Sequence, residues 1–196
     1  MGNRRKRLII FISGRGSNME AILDACEKGV LKELAEVVCV YSNRMKAEGL
    51  TRAGERAIPT HCIPSFKKER ADYDKELARW LSEQTFDYII LAGYMRVMSD
   101  FLVKAYPGQI INIHPADTAK HQGLGAYKWA YDNQLTETTI TVHFVDEGLD
   151  TGKVIAKKRV PLQNIQTLDD VRNQGLAIEH TFYSEAIKLL LTKPQG

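Results

Sequence analysis

Five short runs rich in β-branched and other apolar residues punctuate the first 114 residues of the chain: RLIIFIS (7–13), AEVVCVYSN (35–43), PTHCIP (59–64), FDYIILAG (86–93) and QIINIH (109–114). Between them lie segments whose apolar residues recur at the helical period: NMEAILDACEKG, KAEGLTRAGER, ERADYDKELARWLSEQ and SDFLVKAYP. Strands that are apolar almost throughout, rather than alternately, belong to sheets covered on both faces, and the intervening helices are the crossovers that keep such strands parallel. The pattern changes after residue 114. TTITVHFVDEG (138–148) and GKVIAKKRVPL (152–162) alternate like paired strands joined by a Gly-containing turn, which predicts an antiparallel extension. A last helix is predicted over 168–191, with Val171, Ile178, Phe182 and Leu189 as its inward stripe. The expected fold is α/β and Rossmann-like: one domain, a mostly parallel sheet with an antiparallel extension, and helices on both faces.

Composition narrows the class of function. With 196 residues, 44% of them hydrophobic and 26% charged, the chain suits one domain able to bury a core. No apolar run reaches the roughly eighteen residues of a membrane span, and MGNRRKRLIIFISG lacks a small-residue cleavage site, so the expected compartment is cytoplasmic. Cys26, Cys39 and Cys62 are odd in number and widely spaced, and they read as reduced core thiols. A net charge of +3 argues against nucleic acid as a partner but would not hinder an anionic small molecule. The basic residues at 1–6 read as a flexible tail, and the five histidines have no metal-ligand spacing, so no metal is expected.

Open α/β sheets bind ligands beyond the carboxyl ends of their strands, and two loops there carry chemistry. The first reads SGRGSNM. Its glycines let the backbone approach a ligand, and the following helix offers free amides to a phosphate, whereas a plain turn capped by Ser17 or Asn18 would need no second glycine. The third glycine of the dinucleotide fingerprint is missing, and YSNR lacks the acidic residue that would hold a ribose of NAD, although Arg44 is compatible with NADP. At the second loop, alternation along QIINIH puts Asn112 and His114 on one face at the ligand-binding end, with Pro115 stopping further pairing. A carboxamide and a protonated imidazole are both donors, suited to negative charge developing on a carbonyl oxygen. Protonation of His114 near neutral pH would need a nearby carboxylate, and DEGLDTG offers Asp146, Glu147 and Asp150 without ranking them. A turn-capping Asn112 and a satisfied buried His114 would give the same string.

Taken together and in order, ISGRGSNM, LAGYMRVMS, INIHPA, VHFVDEGLDTG and a late IEH resemble the phosphoribosylglycinamide formyltransferase family over nearly the whole chain. The resemblance implies transfer of the formyl group of 10-formyltetrahydrofolate to the amine of glycinamide ribonucleotide, with no metal and no covalent intermediate on the protein. It implies Asn112, His114 and Asp150 as the catalytic set, Asp150 raising the histidine pKa. It also implies Gly16, Ser17, Asn18, Met19 and Glu179 as substrate-binding residues. The folate-binding residues it implies are Arg70, Met95, Arg96, Val97, Met98, Asp146, Glu147, Gly148 and Leu149. Residues 7–106 would form a nucleotide-binding half and 107–196 a catalytic and folate-binding half, in a monomer or homodimer touching neither nucleic acid nor membrane. Where such proteins commonly continue His-Pro with Ser-Leu-Leu-Pro and a later Pro-Gly, this chain has HPADTAKHQG, which brings in Asp117 and His121 and predicts a differently shaped loop. Read alone, Arg70 would be a solvated side chain and the 95–98 methionines core residues. The competing readings are a 10-formyltetrahydrofolate hydrolase, whose usual N-terminal regulatory domain finds no room here, and methionyl-tRNA formyltransferase, whose C-terminal domain is absent. From other classes come an NADP-linked oxidoreductase and a noncatalytic nucleotide-binding module.

Overall fold

The computed structural model describes residues 4–193. Seven strands form one sheet in the order β3-β2-β1-β4-β5-β6-β7. β1 (Lys6–Ile12), β2 (Ala35–Ser42), β3 (Thr60–Cys62), β4 (Tyr88–Leu91) and β5 (Ile110–His114) are parallel, and β6 (Glu137–Phe144) and β7 (Val154–Pro161) extend the sheet antiparallel. The helices are α1 (Ser17–Lys28), α2 (Glu48–Glu55), α3 (Arg70–Ser82), α4 (Asp100–Ala105), α5 (Ala126–Asp132) and α6 (Leu168–Thr192). The parallel strands and their crossover helices stand where the apolar runs and helical periods put them, whereas α5 has no counterpart among the expectations.

Side chains of the central strands alternate between two cores, as the period-2 geometry of a strand requires. Leu8, Ile10, Ile12, Ile90, Ile111 and Ile113 pack with α1, α2, α5 and α6 on one face. Ile9, Phe11, Ile89, Leu91 and Ile110 pack with α3 and α4 on the other. α6 buries Val171 and Phe182 and packs Ile178 against the first core, but Leu189 is 40% exposed and drops out of the expected stripe. Ala186 and Ile187 before it are buried and Leu190 and Leu191 after it pack against the same core, so Leu189 falls on the outward side of its helical turn. Tyr183, fully buried, donates its hydroxyl to the carbonyls of Leu91 and Ile111 at 3.1 Å each, fastening α6 to the ends of β4 and β5.

The expected basic tail is tied down within the described residues: Arg4 makes a two-pronged pair with Asp87 at 2.7 and 2.8 Å, Arg5 meets Glu36 at 2.7 Å, and Lys6 opens β1. Residues 1–3 of that expected tail lie outside the described part. Cys26 and Cys39 are buried free thiols, burial pushing them up to about 12 and about 11, while Cys62 is only half-buried. Among the described residues no helix is long and apolar enough to cross a membrane.

Candidate active site

β1 ends in a loop that turns directly into α1. Gly16 is the residue before the helix, with φ 80, and a side chain there would meet the Gly49 backbone at 3.1 Å and the Met19 side chain at 3.2 Å. Neither Ser17 nor Asn18 caps the helix: Ser17 is its first residue, and no side chain accepts from the first turn. The amide donors of that turn therefore stay available. Met19 is fully buried and serves the core beneath the loop.

Asn18 and Glu179 meet from 161 residues apart. Asn18 Nδ2 donates to Glu179 Oε2 at 2.6 Å, and the Tyr127 hydroxyl donates to Glu179 Oε1. Tyr127 fits because residue 175 is glycine; a Cβ there would collide with the phenol ring. Tyr127 was not a candidate on sequence, since nothing in AYKWAYD marks it apart from an ordinary helix aromatic.

The second cluster forms where β5 stops. Ile111 and Ile113 face the α1/α6 core, so Asn112 and His114 point to the opposite side together, as alternation predicts. β6 pairs with β5 in the register Asn112↔His143 and His114↔Thr141, which brings His143 onto the same face. Asp150 enters from the loop after β6, with φ 55, a left-handed conformation that Asp and Asn tolerate better than most side chains. Its carboxylate receives four approaches: the Gly123 amide at 2.8 Å and His114 Nδ1 at 3.4 Å on Oδ2, and Asn112 Nδ2 and His143 Nε2, each at 3.4 Å, on Oδ1. Of the three carboxylates in DEGLDTG, Asp150 is the one beside the imidazole. Asp146 instead accepts from the Gly148 amide and the Thr151 hydroxyl, and Glu147 pairs with Lys104.

The second nitrogen of each ring is committed to the main chain. His114 Nε2 lies 3.0 Å from the His121 carbonyl and His143 Nδ1 lies 2.8 Å from that of Phe144. A carbonyl only accepts, so those nitrogens carry hydrogens, and the opposite nitrogens, His114 Nδ1 and His143 Nε2, face Asp150. Asp150 is held below the ordinary carboxylate value: burial alone would raise it, but the His143 ring, the Gly123 amide and the charge interaction with His114 together prevail. His114 corrects an expectation. Burial lowers its pKa below the ordinary value and outweighs the upward pull of Asp150 and of the His121 carbonyl, with the His143 and His121 rings adding to the decrease. His143, 2% exposed, was missed although VHFVDEG contains it; the signal was its alternation in a strand pairing with QIINIH.

Asn112, His114, His143 and Asp150 stand in the wall of a cleft of about 590 Å³, within the usual range for small-molecule sites. Met95, Arg96, Val97, Met98, Asp146, Glu147, Gly148 and Leu149 also line it, together with Tyr94 and Leu124. Met95, Val97, Leu124 and Leu149 are all more than half exposed, giving the mouth an apolar rim, while Met98 is buried. Arg96 lies over the Tyr73 ring at 4.5 Å and donates to the Lys68 carbonyl. Arg70 is exposed at the first position of α3 and is not part of the cleft wall.

A doubly wound sheet with this cleft beyond its carboxyl ends, its polar groups converging on one small space, has the build of an α/β enzyme site. The chain belongs to the formyl transferase family, whose model matches residues 6–187. It is 38% identical over 177 residues to phosphoribosylglycinamide formyltransferase of Escherichia coli, covering 90% of this chain and 82% of that protein. It is 39% identical over 193 residues to the trifunctional purine biosynthetic protein adenosine-3 of Drosophila melanogaster, covering 97% of this chain and 14% of that much longer protein. Among solved structures, phosphoribosylglycinamide formyltransferase from Bacillus halodurans superposes with a TM-score of 0.90 at 34% identity, covering 97% of each chain. Glycinamide ribonucleotide transformylase 1 from Symbiobacterium toebii gives 0.89 at 35%, covering 96% of this chain and 89% of that one.

Proposed function

We propose that this protein transfers the formyl group of 10-formyltetrahydrofolate to the amine of glycinamide ribonucleotide, as one formyltransferase domain, with residues 7–106 serving the nucleotide and 107–196 the chemistry and the folate. The observation that carries this reading is the Asp150 carboxylate beside Asn112, His114 and His143 in one cleft. The names of the relatives support formyl transfer to the glycinamide ribonucleotide. The amides at the start of α1 suit the substrate phosphate, and Glu179, held by Asn18 and Tyr127, suits a ribose hydroxyl or the amine. An apolar rim formed by Met95, Val97, Leu124 and Leu149 suits the flat rings of a folate. Arg70 has no part in this reading of the cleft beyond reaching an outlying portion of the folate.

In the reaction the amine nitrogen bonds to the formyl carbon and the bond from that carbon to N10 of the folate breaks. One proton leaves the attacking nitrogen and one arrives at N10. Asn112 Nδ2 is a fixed donor for the oxyanion of the tetrahedral intermediate. Burial lowers the pKa of His114, which suits its Nδ1 to taking up a proton as charge develops, and Asp150, held below the ordinary carboxylate value, stabilises the imidazolium that results. Holding donor and acceptor together supplies the proximity contribution. The chain needs no covalent intermediate for this sequence. A spectrophotometric assay with 10-formyltetrahydrofolate, with and without glycinamide ribonucleotide, tests the proposal: turnover that requires the amine supports it, turnover with water alone supports hydrolysis instead, and no turnover rejects both.

A further inference from the structure

The loop that follows His114 folds back over its ring. Thr141 Oγ1 donates to the Ala116 carbonyl at 2.8 Å, and the Asp117 carbonyl accepts from the amides of Lys120 and His121 at 2.8 and 2.9 Å, closing one tight turn. That turn delivers the His121 carbonyl to His114 Nε2. The His121 ring lies nearly parallel to that of His114, centroids 6.0 Å apart, and is backed by Trp129 at 5.1 Å. The Asp117 side chain holds the turn from outside. Its Oδ1 accepts from the Ala119 amide at 3.1 Å and from Lys157 Nζ at 2.5 Å.

Lys157 is placed by the sheet. The antiparallel registers set His114 opposite Thr141 and Thr141 opposite Lys157, so the three residues form one row across β5, β6 and β7 with their side chains on one face. The row starts at the catalytic imidazole and ends at the ammonium that grips its covering loop. A part-exposed ion pair of this kind contributes little to global stability, the two side chains being 38% and 24% exposed. Its consequence is local, because moving the turn would move the carbonyl that holds a hydrogen on Nε2.

We propose that the Asp117–Lys157 pair is a positioning element for His114: by holding the His121 carbonyl on Nε2, it keeps a hydrogen on that nitrogen and fixes the ring with Nδ1 turned toward Asp150. This rests on the catalytic role given to His114 above, but the hydrogen on Nε2 itself does not. The test is nitrogen NMR of the histidines in ligand-free wild type, Lys157→Met and Lys157→Arg, with thermal midpoints and steady-state rates on the same preparations. Asp117→Asn, which keeps a side-chain acceptor for the Ala119 amide, serves as the second variant should Lys157→Met not fold. Wild type should show His114 as the Nε2–H tautomer. Lys157→Met should show a mixture, with kcat down roughly tenfold and KM for the formyl donor within about twofold, and Lys157→Arg should restore both readings. An unchanged tautomer in Lys157→Met, with or without a loss of rate, overturns the proposal. A wild type without amine-dependent turnover would defeat the formyl-transfer reading while leaving the tautomer measurement to decide this one.

Discussion

Asp150 sits between two imidazoles, with His114 Nδ1 and His143 Nε2 each 3.4 Å from its carboxylate, an arrangement that strengthens when a ring turns an N–H toward it. Burial draws the His114 pKa down, and the charge of Asp150 works against burial. The sign of a perturbation follows. An NMR titration of the ligand-free protein should place the His114 midpoint below the ordinary value of 6.5, and Asp150→Asn, which removes the upward pull, should lower it further. A midpoint above 6.5 in the wild type would mean that the carboxylate, not burial, prevails. Since the folded pKa is the lower one, His114 contributes stability that is present above its unfolded pKa and lost as pH falls through the folded value. His114→Ala should cut turnover at least roughly a hundredfold with the fold retained, because the site loses the group that takes up the proton. Circular dichroism alongside steady-state kinetics checks both halves of that statement. At this scale the sequence discloses Asn112 and His114 through their shared parity in a strand, but not the lowered pKa of the imidazole, which depends on burial that no string displays.

Elements place these residues through register, and register is set by strand ends. Tyr183 on α6 bonds the carbonyls of Leu91 and Ile111, next to Asn112, so it aligns the helix that bears Glu179 with the strand that bears Asn112 and His114. Tyr183→Phe should destabilise the protein by about 1–3 kcal/mol in denaturant titrations, with the larger value applying if neither carbonyl finds another donor. A variant as stable as wild type would show that the ladder alone satisfies those carbonyls. The parallel strands are legible in the sequence because a strand covered on both faces has little room for polar residues. α5 is not, because seven residues make two turns at most and its packing on α6 depends on Tyr127 meeting Gly175 from far along the chain. His143 illustrates the same limit, since its role depends on which residue of β5 it faces.

The whole molecule brings its two clusters to one edge of the sheet, the α1 loop with Asn18 and Glu179 after β1 and the Asp150 group after β5. Both exist only in the folded chain, so ligands that occupy them should stabilise it by mass action. At about a hundred times its dissociation constant, glycinamide ribonucleotide should add about 2.7 kcal/mol, or roughly 5–10 °C in thermal midpoint for a chain of this size. Asn18→Ala should shrink that shift, and an equal shift in the variant would remove Asn18 from the substrate site. The fold class was readable at this scale from alternating strands and helices, whereas the closure of HPADTAKHQG over His114 was not, because it rests on a lysine forty residues away in β7. The central claim, formyl transfer through Asp150 and its imidazoles, is tested most directly by the turnover number of Asp150→Asn against wild type, with 10-formyltetrahydrofolate and glycinamide ribonucleotide both saturating. Asparagine accepts the left-handed backbone at 150 and keeps the shape while removing the charge. The account predicts a turnover at least roughly a hundredfold lower at an unchanged thermal midpoint; a turnover within a few fold of wild type would contradict it.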